Sequence, residues 1–200
     1  MMKLVLATRN KDKITEIKAL LQDLPVEIYT FIDFDHFPDV IEDRDTLEGN
    51  AEKKAREIFN ITGMPSVADD TGLFVDALDG EPGVFSSRYA GENVTYEDNR
   101  KKLLMEMKNF PAEKREAVFK TVIVLILNKK EKFVVEGHCE GYIGFKEKGE
   151  MGFGYDPIFY LHDSGKSFAE LTVVEKNRIS HRGRALKKIK KILEEITKNT

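Results

Sequence analysis

P-S-V-A-D-D-T-G, residues 65–72, is the stretch around which the rest of the chain is organised. A short apolar run, Val67-Ala68, leads into two adjacent carboxylates, Asp69 and Asp70, and Thr71-Gly72 breaks the pattern at once. That pattern predicts a strand ending in acid. Successive side chains of a strand point to opposite faces, so only one of the two acids looks squarely into a given pocket. One carboxylate is therefore a candidate catalyst or metal ligand, and the other supports the neighbouring loop. Asp beside Thr-Gly also caps turns, so the flanking segments must decide between chemistry and a simple turn.

Upstream, Lys3–Ala7 reads as a short apolar strand, and Thr8-Arg9-Asn10 as a polar break. A helix follows, with Ile14, Ile17, Leu20, Leu21 and Leu24 at helical spacing. A helix start after a strand leaves backbone N–H groups and partial positive charge, which makes an anion site. Lys11 and Lys13 fall in its first turn, where cations oppose the macrodipole by roughly 0.3–1 kcal/mol each. A bound anion would explain their placement. No G-x-x-x-x-G-K-[ST] run occurs, so this is not a Walker loop. Residues 26–45 become strongly acidic toward Asp39, Glu42, Asp43 and Asp45. Thr46 can cap the next helix, whose buried stripe is read as Leu47, Ala51, Ala55, Ile58 and Phe59, with Glu48, Asn50 and Lys54 off it. Acids feeding toward Asp69-Asp70 could supply a second carboxylate to Mg²⁺, which takes one or two from the protein.

Downstream, residues 73–78 are expected to continue as strand, Asp79–Gly83 to turn, and Arg88 and Tyr89 to be exposed. Thr95 and Asp98 have capping-box spacing before a helix reaching about Asn109. Residues 117–127 and 133–145 read as two long strands in a hairpin, expected to form a smaller lobe. In G-F-G-Y-D-P, residues 152–157, glycines interleave with aromatics that suit stacking on a flat ring, and Asp156 can orient a neighbour. Thr172 and Glu175 again space as a capping box ahead of Lys176. Ser180-His181-Arg182 opens a final helix with Ala185, Ile189, Ile192, Leu193 and Ile196 on its buried face.

The 200 residues suit one domain; 41% apolar and 34% charged residues argue for a globular core and against disorder. A net charge of −3 speaks against a general binder of nucleic acid or anionic membrane. The single cysteine, Cys139, excludes an intrachain disulfide framework. With no secretory or membrane-spanning run read in the chain, the expected location is cytoplasmic.

Taken together, T-R-N-K-D-K (8–13), E-G-N-A-x-x-K-A (48–55), A-D-D-T-G-L (68–73), P-G-V-F-S-S-R-Y-A-G (82–91), G-F-G-Y-D-P (152–157) and E-K-N-R-I-S-H-R-G-R-A-L (175–186) resemble the inosine/xanthosine triphosphate pyrophosphatases. These hydrolyse non-canonical purine nucleoside triphosphates (ITP, dITP, XTP) to the monophosphate and pyrophosphate. The resemblance implies an α/β fold with a long central mixed β-sheet and flanking helices, two lobes around a nucleotide-binding cleft, Mg²⁺ dependence and a homodimer. It also implies site residues. Thr8, Arg9, Asn10, Lys11, Asp12 and Lys13 match the triphosphate loop, and Lys54 a phosphate contact. Asp70 matches the general base and metal-linked aspartate, Glu42 the other metal carboxylate, with Asp43 and Asp45 as alternatives beside it. Thr71 stands where the family often has serine. Phe153, Gly154, Tyr155, Asp156, Lys176, His181 and Arg182 match the base and sugar pocket, with Arg182 and His181 expected to donate to the 6-oxygen. The chain departs from the pattern at Glu150 and Met151, where relatives carry further glycines. Rival expectations are a pyrophosphatase for other nucleotides, such as modified pyrimidines, and a non-catalytic nucleotide sensor.

Overall fold

In chain order the elements are β1 (Met2–Leu6), α1 (Lys11–Leu21), β2 (Val26–Tyr29), α2 (Leu47–Thr62), β3 (Ser66–Val75) and β4 (Pro82–Gly83), then α3 (Tyr96–Glu106), β5 (Glu116–Ile126), β6 (Lys132–Ile143), β7 (Phe159–Tyr160), α4 (Val173–Ile179) and α5 (His181–Lys198). The computed structural model describes residues 1–198. One sheet runs in the order β2-β1-β3-β5-β6-β7, with β4 paired to β3. It is mixed: β1 pairs parallel with β2 and β3, whereas β3–β4 and β6–β7 are antiparallel. With its flanking helices this is the expected α/β class. By internal contacts the chain divides into two compact units, one of residues 1–70, 121–137 and the segment from Arg182, the other of 71–120 and 138–181.

The first unit is a β-α-β arrangement closed by the last helix. Leu4 and Leu6 pack with Ile17 and Leu21 of α1 and with Ala185, Ile189 and Leu193 of α5. Val5 points the other way and is equally buried, on the side where α2 contacts β1. Burial on both faces is why β1 reads as a continuous apolar run. α2 starts on Thr46, whose Oγ1 accepts from Gly49 N–H at 3.0 Å, and stops at the left-handed Gly63. On the opposite side of α5, Lys187, Lys188 and Lys191 are exposed and Lys190 is half-buried.

The second unit is built around Leu73, Val75, Leu103, Met107, Phe119, Ile143, Phe159 and Phe168. The strand expected over 73–78 stops at Val75, and Asp76–Leu78 form a 3-10 turn. Tyr89 is a correction to the expected exposure, being only 8% exposed. Its hydroxyl meets Glu106 and Glu81 (3.2 Å) and its ring lies under Lys102, so three polar partners compensate the buried phenol. Both expected capping boxes, Thr95/Asp98 and Thr172/Glu175, are formed. The hairpin of residues 117–145 is shared between the units, its tip (Thr121–Gly137) in the first and its ends in the second. The reason is visible in β5, which alternates from Glu116 to Lys120 and is buried on both faces from Thr121 to Ile126.

Arg115, just before β5, is 1% exposed. Its guanidinium donates to the carbonyls of Ile143 (2.6 Å), Met107 (2.6 Å), Gly144 (2.8 Å) and Phe110 (3.2 Å), tying the end of α3 to the end of β6. Removing it takes a donor from four carbonyls, of which Met107 O keeps a bond from Phe110 N–H. Arg115→Ala is expected to cost about 2–4 kcal/mol, read as a drop in thermal midpoint of roughly 2–4 °C per kcal/mol; an unchanged midpoint would contradict the assigned role.

Candidate active site

In the first unit, Asp69 and Asp70 point to opposite sides, as strand geometry requires. The strand does not end in acid as expected: it runs through Thr71-Gly72 to Val75, because Leu73 and Phe74 pair with β4 and Leu73 and Val75 are buried. Each meets its own cations. Asp69 Oδ2 lies 3.1 Å from Lys13 Nζ and 3.1 Å from Arg182 Nε, while Arg182 Nη1 pairs with Glu16. Burial would raise the Asp69 pKa, but Lys13 and Arg182 outweigh it and hold the carboxyl well below the usual range. Asp70 Oδ1 lies 3.5 Å from Lys54 Nζ, and its Oδ2 accepts from Asn50 Nδ2 at 3.2 Å. Lys54 also donates to Glu42. Burial, with Glu42 and Asp69 nearby, pushes the Asp70 pKa up against the pull of Lys54. Lys54 is buried too, yet Asp70 and Glu42 keep its ammonium charged.

These buried and partly buried groups count four carboxylates (Glu16, Glu42, Asp69, Asp70) against three cations (Lys13, Lys54, Arg182), one negative charge in excess. Among the described residues no group of three or more His, Cys, Asp or Glu side chains is placed to hold a metal. Glu42 and Asp70, which share the Lys54 ammonium, are instead a two-carboxylate oxygen set with surplus negative charge, which fits Mg²⁺. Of the three acids open as alternatives, Glu42 is the one beside Lys54; Asp43 turns to Lys53 (2.9 Å), and Asp45 is exposed.

The β1–α1 turn differs in part from expectation. Asn10 Oδ1 caps α1, accepting from the N–H groups of Asp12 (3.0 Å) and Lys13 (3.2 Å). Two of the backbone donors expected to meet an anion are therefore already satisfied. Thr8 Oγ1 in turn accepts from Asn10 N–H at 3.1 Å. Arg9 donates to the Phe37 carbonyl and lies over the Phe31 and Phe37 rings, pinning the start of the acidic loop. Lys11 and Asp12 are exposed on the first turn, whereas Lys13 reaches inward.

The Ham1 family model matches residues 4–192. The chain belongs to the Ham1 family. It is 51% identical over 189 residues to a dITP/XTP pyrophosphatase of Thermoanaerobacter sp. (strain X514), covering 94% of this chain and 95% of that one. A dITP/XTP pyrophosphatase of Geobacter sulfurreducens is 48% identical over 190 residues, covering 95% and 96%. The solved structure of a HAM1 protein from Coxiella burnetii superposes with a TM-score of 0.89 at 41% identity, over 98% of this chain and 100% of that one.

In the second unit of this Ham1 chain, Asp156 Oδ2 accepts from Lys176 Nζ (2.7 Å) and from Phe153 N–H (2.8 Å). Gly152 has φ +75°, and a Cβ there would meet Asp156 Oδ2 at 2.1 Å, so glycine is required for the loop to close on the carboxylate. Lys176 Nζ lies 4.9 Å from the centre of the Phe153 ring. Gly154 offers its carbonyl to Arg100 (3.0 Å), and Thr71 is partly buried on β3. Tyr155 is 5% exposed and belongs to the core, its hydroxyl donating to Ser86 O at 2.9 Å. Phe153, by contrast, is only partly buried.

His181 and Arg182 part company. The His181 ring lies against Phe119 (4.4 Å) in the second unit, while Arg182 is buried with Asp69 and Glu16 in the first. Arg182, expected to donate to a base oxygen, pairs here with two carboxylates, strong partners for a guanidinium. Sequence reasoning missed Glu16 and Asn50, and placed Asn50 and Lys54 off the stripe of α2. Both are buried, in line with Leu47, Ala51, Ala55 and Ile58. The signal was present: an acid three residues after Lys13, and an amide and ammonium at i+3 and i+7 from Leu47, on faces that bury polar groups only when they are paired.

Proposed function

We propose that this chain hydrolyses non-canonical purine nucleoside triphosphates such as dITP, ITP and XTP to the monophosphate and pyrophosphate. The observation that carries this reading is the buried Lys54 ammonium shared by Asp70 and Glu42, beside the Lys13–Asp69 pair. The printed activity of relatives near 50% identity supports it. A triphosphate brings roughly four negative charges that must be neutralised before water attacks phosphorus. Lys13 and Lys54 would bind its oxygens and stabilise the leaving pyrophosphate. Asp70, with its Oδ2 held by Asn50, would orient the attacking water and accept its proton. Mg²⁺ held by Glu42 and Asp70 would supply charge neutralisation at the phosphoryl oxygens.

For the base, Phe153 offers a ring face and Lys176, fixed by Asp156, supplies donors. An oxygen at position 6 accepts from such a donor, whereas the 6-amino group of adenine leaves it unpaired at a cost of about 1–3 kcal/mol. Mg²⁺ dependence, a homodimer and a cytoplasmic location belong to the same proposal. No helix among the described residues is long and apolar enough to cross a membrane.

The test is pyrophosphate release with and without Mg²⁺ from dITP, ITP, XTP, ATP, GTP, dUTP and methylated nucleotides, and hydrolysis in ¹⁸O water. The 6-oxo purines other than GTP are expected to turn over fastest, with ¹⁸O in the monophosphate. Label confined to pyrophosphate would refute attack at the α-phosphorus, and preferred turnover of pyrimidines would refute the substrate class.

A further inference from the structure

The first turn of α2 carries a device that the phosphate chemistry leaves unexplained. Asn50 is fully buried, and its amide bonds to two separate segments. Oδ1 accepts from Arg44 N–H at 3.0 Å, and Nδ2 donates to Arg44 O at 3.3 Å and to Asp70 Oδ2 at 3.2 Å. Both amide hydrogens are thereby used. A single planar group grips the two backbone polar atoms of one loop residue and one oxygen of a carboxylate on β3.

Its neighbour makes the grip possible. A Cβ on Gly49 would lie 2.9 Å from Arg44 Cβ and 3.0 Å from Thr46 Oγ1, so only glycine lets the loop fold back across the turn this closely. The loop carries Glu42 two residues before Arg44 and has no helix or strand of its own from Phe34 to Thr46.

We propose that Asn50 is a positioning residue that sets Glu42 and Asp70 in one register. The two oxygens of a carboxylate are rigidly linked, so holding Asp70 Oδ2 turns Oδ1 toward Lys54, on which Glu42 also converges. The same amide fixes the stretch of loop from which Glu42 projects. A neutral donor suits this place: a Lys or Arg would orient the carboxylate equally well but would add a positive charge that repels a divalent cation. Asn50 touches no reacting atom and acts through Asp70 and the loop.

The catalytic half of this inference rests on the proposed function; the loop latch does not. The test compares wild type, Asn50→Ala and Gly49→Ala by kcat and KM on dITP and by hydrogen exchange of the backbone amides of residues 39–47. Asn50→Ala is expected to lower kcat by about 10–100-fold with KM little changed, and to speed exchange at the Arg44 amide. Gly49→Ala is expected to speed the same exchange with a smaller loss of kcat. Wild-type kcat in Asn50→Ala, or a kcat loss with Arg44 exchanging as in wild type, overturns the proposal. If Asn50→Ala does not fold, Gly49→Ala, which retains the amide, decides by the same two readouts. A wild-type chain inactive on every nucleotide would sink the proposed function, and the exchange comparison alone would then decide the latch.

Discussion

Asp70→Asn is expected to lower kcat for dITP by about 10²–10⁴-fold, or about 3–5.5 kcal/mol of transition-state stabilisation, without lowering the thermal midpoint. The two halves of that result have one origin. Asp70 is 5% exposed and carries a charge that burial disfavours, with Glu42 and Asp69 adding to the effect and Lys54 opposing it. An acid whose folded pKa lies above its unfolded value favours the folded state most fully below the unfolded pKa. That contribution is lost as pH rises through the folded pKa. At neutral pH the wild-type chain therefore bears the cost of an ionised Asp70; asparagine, near in shape but uncharged, relieves it, and that relief offsets the charge lost beside Lys54, which Glu42 still pairs. The catalytic loss follows because an amide cannot take a proton from water. Pyrophosphate release together with thermal unfolding from pH 5 to 8 is the check. Less than tenfold loss of kcat, or a clearly lower midpoint at pH 8, would count against Asp70 as the base.

Arg182→Ala should act mainly on stability. The guanidinium is 2% exposed and pairs with Asp69 and Glu16, so its removal leaves two buried carboxylates with Lys13 as the remaining cation in the pairings described. Breaking a buried pair from one side costs about 3–5 kcal/mol, a fall of roughly 6–20 °C in midpoint for a chain of this size. The pH dependence has a definite sign. Asp69 is depressed by Lys13 and Arg182 against the effect of burial, so its stabilising share is present above the unfolded carboxylate pKa and is lost as pH falls through the folded value. The gap between wild type and variant should thus be wide and flat from pH 5 to 8 and should narrow in strong acid. Substrate selection separates this role from contact with the base. A residue acting through the Asp69 network changes dITP and ATP kinetics alike, whereas one that reads the 6-oxygen changes their ratio.

Much of this site was legible because its chemistry is written in local order. A carboxylate pair at a strand end, a lysine one turn into a helix, and aspartate three residues after phenylalanine in a glycine-flanked loop each imply a local geometry. The structure realises the last two, at Lys13 and Phe153–Asp156, and places Asp69-Asp70 on opposite faces of a strand that continues to Val75 instead of ending. Less legible was the use to which polar residues are put once the chain has folded. Asn10, expected to help hold an anion, caps its own helix. Tyr155, expected to stack on a ring, fills the core. Arg182 lies 113 positions from Asp69 in sequence and 3.1 Å from it in space.

The order of apolar runs and breakers by itself determined the α/β class, the strand that carries Asp69-Asp70 and the places where helices start, because hydrophobic periodicity and capping act over a few residues. The partner of each buried charge was decided only by the tertiary structure. Asn50 and Lys54 look like surface residues until β3 and the acidic loop bring Asp70 and Glu42 to them. A charge can be buried only where an opposite charge or a hydrogen-bond partner meets it, and which segments supply that partner depends on how distant parts of the chain pack.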